Sequence, residues 1–207
     1  MDSIKIIEIQ ELDDLVESQK YFFKKIFKNK VSILDVYYSL ILHNKVIREY
    51  GEDIDYNYLE YDIFDGNNID TNKRYDIVYS FEFCHYKFWK RYLKQATKIA
   101  KKYVLIEIST TKNHKTLDNI ETCYYPSPSP FKEINKTPEK LPFIIHNLNE
   151  LIEFCKNQLP ISNIYLYLYN IRGSTSLFPI PQKDLLKGAM LLKIGKAEKI
   201  KTNIKIK

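Results

Sequence analysis

The sequence predicts an α/β protein: a doubly wound, mostly parallel sheet, preceded by an amphipathic helix and closed by two final strands. Three observations carry this. Apolar runs that suit buried strands, at Val31–Val36, Tyr75–Phe81 and Tyr103–Ile108, alternate with stretches of helical periodicity. The run Tyr103-Val104-Leu105-Ile106-Glu107-Ile108 is almost continuously apolar, as strands covered on both faces are. The order strand, helix, strand, helix, strand, helix, then two strands is that of a wound sheet rather than a sandwich or a bundle.

The elements follow in chain order. Ile4 to Ile9 alternates enough for a short strand. Leu12, Leu15, Val16, Gln19, Phe22, Phe23, Ile26 and Phe27 then recur at helical spacing, with Lys20, Lys24, Lys25 and Lys28 off that stripe. The strand Val31–Val36 comes next. Tyr38 to Tyr50 reads as a helix, with Gly51 placed to cap its end. Asp53 to Asp65 alternates around Tyr58 to Phe64 and predicts one or two short strands, then a turn at Asp65-Gly66-Asn67-Asn68. After the Tyr75 strand, Phe88, Trp89, Tyr92, Leu93, Ala96, Ile99 and Ala100 define one face of a helix. Lys87, Lys90, Arg91, Lys94, Lys98 and Lys101 occupy the other.

Beyond the Tyr103 strand, a long irregular, lid-like stretch is expected from Ser109 to His146. Its Tyr124-Tyr125-Pro126-Ser127-Pro128-Ser129-Pro130-Phe131 portion must be extended, because proline excludes the helix for itself and disfavours it for the residue before. Asn147 with Glu150 three residues on resembles a capping box, opening a helix that stops before Pro160. Ile164 to Ile171 and Gly188 to Ile194 read as the closing strands. The lysine-rich tail, 196–207, reads as solvated or edge-like. No linker or internal repeat interrupts the chain, so a single domain over 1–207 is expected.

Composition narrows the class. The 207 residues are 44% hydrophobic and 28% charged, ordinary for a globular protein. No apolar run approaches the roughly 20 residues that span a bilayer. Three cysteines, Cys84, Cys123 and Cys155, are odd in number and far apart, which suits neither a disulfide framework nor a zinc ribbon. The expectation is a reducing, cytoplasmic setting with no metal. The net charge of +6 comes mostly from lysine. Lys90, Arg91, Lys94 and the lysine-rich tail are therefore candidate contacts for nucleic acid, against the plainer reading of a solvated basic face.

From Val31 to Ile194 the chain resembles a class I S-adenosylmethionine-dependent methyltransferase. Val31–Val36 matches the family's first core strand. Arg74-Tyr75-Asp76-Ile77-Val78-Tyr79-Ser80-Phe81-Glu82-Phe83-Cys84-His85 is similar to its fourth strand and following loop, and Tyr103–Thr110 to its fifth strand. The resemblance implies a Rossmann-like sheet with an antiparallel final pair, S-adenosylmethionine as cofactor, and an acceptor of unknown kind. It departs at the family's acid-x-Gly-x-Gly-x-Gly turn: Asp35 stands at the acid, and Tyr37, Ser39 and Ile41 stand at the glycines. A residue with a Cβ costs about 1–2 kcal/mol in left-handed backbone. The stretch after Val36 is also short for the family's second strand and helix, since one crossover unit takes about 30 residues.

The candidate site residues follow from the resemblance and from chemistry. Carboxylates at strand ends accept hydrogen bonds from ribose hydroxyls and the adenine amine. Asp35, Asp53, Asp55 and Asp62 are the candidates, with Tyr37 and Ser39 from the first turn. Ser80 and Glu82 are placed to line the same cleft, and His85 stands where a base beside the acceptor belongs. Each has a plain alternative: Asp35 as a helix cap, Asp62 as a turn acid, His85 as a structural histidine. The alternative to an enzyme is a cofactor-free fold of the same type that binds RNA or protein.

Overall fold

The computed structural model describes residues 17–18, 20–22, 26, 31–36, 54–59, 69–70, 72–80, 83–126, 140–170 and 180–207. Among them the chain forms β1 (Val31–Val36), β2 (Ile54–Leu59), β3 (Tyr75–Ser80), a 3-10 turn (Phe83–His85), α1 (Trp89–Ile99) and β4 (Ala100–Thr111). Then come β5 (Tyr124–Pro126), β6 (Lys140–Pro142), β7 (His146–Asn147) and α2 (Leu148–Gln158). β8 (Ile161–Asn170), β9 (Leu185–Ile194) and β10 (Lys201–Ile206) complete it. The main sheet runs β10-β8-β9-β4-β3-β1-β2, with β7 paired beside the end of β4. β2, β1, β3 and β4 are mutually parallel, whereas β9 is antiparallel to both β4 and β8.

Side-chain alternation makes three layers. Ile33, Ile77, Leu105 and Leu191 face the N-terminal helix, whose Phe22 and Ile26 are buried against them. Leu34, Val78, Val104, Ile106 and Leu192 face the other way, onto α1 and α2. Each fully buried Leu, Ile or Val side chain contributes about 1.5–3 kcal/mol. At the amino end of the sheet Ser32 clasps Asp76: its N–H and its Oγ each lie 3.0 Å from Oδ2. Lys102 Nζ stands 2.9 Å from Oδ1 of the same carboxylate.

Gly188 sits in the middle of β9, opposite Ile108 on one side and Leu168 on the other. Its φ is +156°, and a Cβ there would lie 2.0 Å from the Tyr167 carbonyl oxygen. Only glycine lets β8 and β9 approach at that point.

The expected strands and helices stand within the described residues with some changes of extent. β4 begins directly at the end of α1 and runs on to Thr111. The tail forms a six-residue edge strand, β10, parallel to β8. The second core strand is present as β2, despite the short connection before it. The long irregular stretch is corrected most. Leu117 bridges to Ile145, β5 pairs antiparallel with β6, and β7 pairs parallel with Thr110 and Thr111. The reason is apolar: Cys84, Cys123, Phe143, Ile145, Ile180 and Leu185 bury one another and draw the segment onto the body. The predicted strand at 4–9, the helix at 38–50 and the turn at 65–68 lie outside the described residues.

The capping box is also altered. Asn147 Oδ1 accepts from the N–H groups of Asn149 and Glu150. Glu150 does not reach back to the Asn147 N–H. Thr116 stands between them: its Oγ1 accepts from the Asn147 N–H at 3.0 Å and donates to Glu150 Oε2 at 2.7 Å.

Candidate functional site

The strand order reverses between β1 and β3. From β1 the chain steps outward to β2, then returns to pair on the opposite side of β1. In open wound sheets a ligand crevice lies outside the carboxyl ends of the strands at such a point. Here those ends are Asp35-Val36 and Tyr79-Ser80, with the turn Phe83–His85 leaving over them.

Asp35 is completely buried, in register between Tyr58 of β2 and Tyr79 of β3. This places a buried carboxylate one residue from the end of the central strand. Ser80 is equally buried. Its hydroxyl donates to Tyr86 Oη at 2.6 Å, and Tyr86 donates in turn to the Val36 carbonyl at 3.1 Å. This chain of hydrogen bonds ties the carboxyl ends of β1 and β3 to the segment that follows the turn. Tyr86 is held edge-on to both Phe83 and Tyr92.

His85 is half-buried beside this point. Its Nδ1 lies 2.5 Å from the Pro142 carbonyl, and its ring meets Phe143 edge-on. A carbonyl only accepts, so Nδ1 carries the proton and Nε2 holds the lone pair. Burial pulls the His85 pKa below its ordinary value, the Pro142 hydrogen bond opposes that, and Lys187 adds to it. The side chain is therefore neutral at pH 7.

A second histidine was not singled out by sequence. His146, on β7, is fully buried, stacked on Phe83 at 5.4 Å and edge-on to Trp89 at 4.8 Å. Neither ring nitrogen has a hydrogen-bond partner among the described residues. Burial pushes its pKa down to about 3. A lone histidine in an otherwise irregular stretch gives no sequence signal for this. Only the pairing of β7 with β4 puts it in the core.

Of the remaining candidates, Asp55 is exposed near the amino end of β2, opposite Ser32, and is not brought to the carboxyl edge. Tyr37, Ser39, Asp53, Asp62 and Glu82 lie outside the described residues. Lys90, Arg91 and Lys94 are exposed on α1, where they border a groove against Phe154 of α2. Among the described residues no group of three His, Cys, Asp or Glu side chains could hold a metal ion. Nor is any described helix long and apolar enough to cross a membrane.

No family model and no curated protein matches the chain. Solved structures do. The 1,6-didemethyltoxoflavin-N1-methyltransferase of Burkholderia thailandensis, crystallised with S-adenosylhomocysteine, is 10% identical. The match covers 94% of this chain and 86% of that one, at a TM-score of 0.49. Magnesium protoporphyrin IX methyltransferase of Synechocystis PCC 6803, also with bound S-adenosylhomocysteine, is 9% identical over 94% and 88%, with the same TM-score of 0.49. The N-terminal domain of EvdMO1 with S-adenosylhomocysteine and D-fucose is 12% identical over 87% and 83%, at 0.48. At these identities each is a likeness of fold.

Proposed function

We propose that the chain binds S-adenosylmethionine at the carboxyl edge of β1 and β3 and methylates a nucleophilic acceptor held beside His85. The observation that carries this reading is the order reversal at β1 and β3, with the buried carboxylate of Asp35 one residue from the end of β1. The acids that follow β2 in the chain, Glu60 and Asp62, supply further acceptors for ribose or adenine donors. The cofactor, when bound, would supply an electrophilic sulfonium methyl for the acceptor's lone pair. His85 keeps Nδ1–H on Pro142 and takes the acceptor's proton at Nε2. The aromatic turn around Phe83 and Tyr86 keeps water from the strand ends.

A second reading has its own observation. Ser80, Tyr86 and Val36 satisfy one another at the strand ends, and tyrosine, serine and isoleucine replace the glycines after Asp35. Both features suit a scaffold that binds a partner without the cofactor. Calorimetric titration with S-adenosylhomocysteine separates the two. Dissociation constants below ~100 μM, weakened at least tenfold by Asp35→Asn in a folded protein, support the enzyme. Absence of heat at millimolar ligand supports the scaffold.

A further inference from the structure

α1 and α2 lie side by side on one face of the sheet, and a groove of about 440 Å³ opens along them. Lys90, Arg91, Lys94, Gln95 and Lys98 line it from α1, and Phe154 lines it from α2. α1 spans 11 residues and contains no acid. Among the described residues none of its cations forms an ion pair with a carboxylate. Lys94 Nζ instead meets the amide of Gln158 at 3.2 Å. The ammonium groups of Lys90 and Lys94 each stand 5.9 Å from the centre of the Phe154 ring. Phe154 is braced edge-on against Trp89 at 5.0 Å.

Lys90, Lys94 and Lys98 repeat at every fourth residue, so they form one row with steps of about 6 Å along the helix. Like charges at that spacing cost a helix stability rather than adding to it. A row of equally spaced, unneutralised cations is matched by a linear polyanion whose charges repeat at a similar interval, as successive phosphates of an extended strand do. The aromatic ring in the same groove matches a base face, which stacks without regard to sequence.

We infer that the α1–α2 groove binds single-stranded nucleic acid, with phosphates along Lys90, Lys94 and Lys98 and a base against Phe154. Lys90 lies in the first turn of α1, just after the turn that carries His85, so the strand would run from the crevice edge down the helices. The inference stands apart from the cofactor reading, and its test contains no S-adenosylmethionine.

The test is fluorescence anisotropy with a labelled 12-nucleotide oligouridylate, titrated with the full chain at several salt concentrations. Binding is expected, with a log–log salt slope that falls by about 2 in the triple variant Lys90→Gln, Lys94→Gln, Lys98→Gln, and affinity reduced at least tenfold at 0.1 M salt. Phe154→Leu, checked for native melting, is expected to weaken binding about fivefold or more without changing the slope. A second triple variant, Lys196→Gln, Lys199→Gln, Lys201→Gln, removes equal charge from β10 and the turn before it, outside the groove's lining, and is expected to bind within twofold of wild type. Equal losses in both triple variants would overturn the inference, because they would mean general attraction to a basic protein. So would tighter binding to a polyglutamate peptide or to anionic lipid vesicles than to the oligonucleotide.

Discussion

Ser80 and Tyr86 share a hydrogen bond of 2.6 Å, and Tyr86 passes the chain on to the carbonyl of Val36. All three residues are buried, so each polar group depends on the next. Tyr86→Phe removes the link and leaves two buried groups unsatisfied. It is expected to lower unfolding free energy by about 1–3 kcal/mol in urea titrations, with the slope unchanged. Ser80→Ala, which leaves Tyr86 bonded to Val36, is expected to cost less. Equal, negligible effects would mean that the strand ends are held by packing alone.

His146 makes stability depend on pH. Its folded pKa of about 3 lies below the unfolded value of 6.5. The unfolded chain therefore takes a proton that the native state refuses. The stability is full above pH 6.5 and is lost as pH falls toward the folded value. Between pH 7 and pH 5 the loss from this group is about 2 kcal/mol. His85, also lowered, acts in the same direction. His146→Phe keeps the stacking on Phe83 and is expected to remove the His146 share. Denaturant melts of the two proteins at pH 7 and pH 5 should therefore diverge by that amount.

Thr116 completes the cap of α2 from a distant part of the chain. Thr116→Val removes both its hydrogen bonds, the one it accepts from the Asn147 N–H and the one it donates to Glu150 Oε2. A loss of about 1 kcal/mol is expected, as for other helix caps. Amide hydrogen exchange should report it first at the opening turn of α2.

Gly188→Ala tests the close approach of β8 and β9. The added methyl would collide with the Tyr167 carbonyl, which is backbone and cannot swing aside. The expected result is a loss above about 3 kcal/mol or a failure to fold, larger than for Gly195→Ala, where φ of +145° also disfavours a side chain but the Cβ would meet only the Ser162 side chain at 3.6 Å. Comparable melting of the two variants would count against the strain argument.

The sheet was legible in the sequence because its strands and helices carry strong periodicity. Val31–Val36, Tyr75–Ser80 and the α1 stripe from Trp89 to Ile99 each declare themselves locally. The segment from Ser109 to His146 did not. Its strands are two or three residues long and gain their apolar partners, such as Phe143 with Cys84 and Cys123, only through long-range contacts. His146 was hidden for the same reason. The cap of α2 was half legible: Asn147 and Glu150 were in place, but no local rule brings in Thr116. At the crevice, Asp35 could be placed from its strand alone. The role of Ser80 could not, because its partner Tyr86 lies beyond a turn.

A cofactor held at the carboxyl edge of β1 and β3 can be seen directly. The most direct measurement is a crystal structure of the chain grown with S-adenosylhomocysteine. Electron density for the ligand across the ends of β1, β2 and β3, within hydrogen-bonding reach of Asp35 or of the acids after β2, is the predicted result. An unoccupied edge at saturating ligand, with the Ser80–Tyr86–Val36 chain intact, would contradict it.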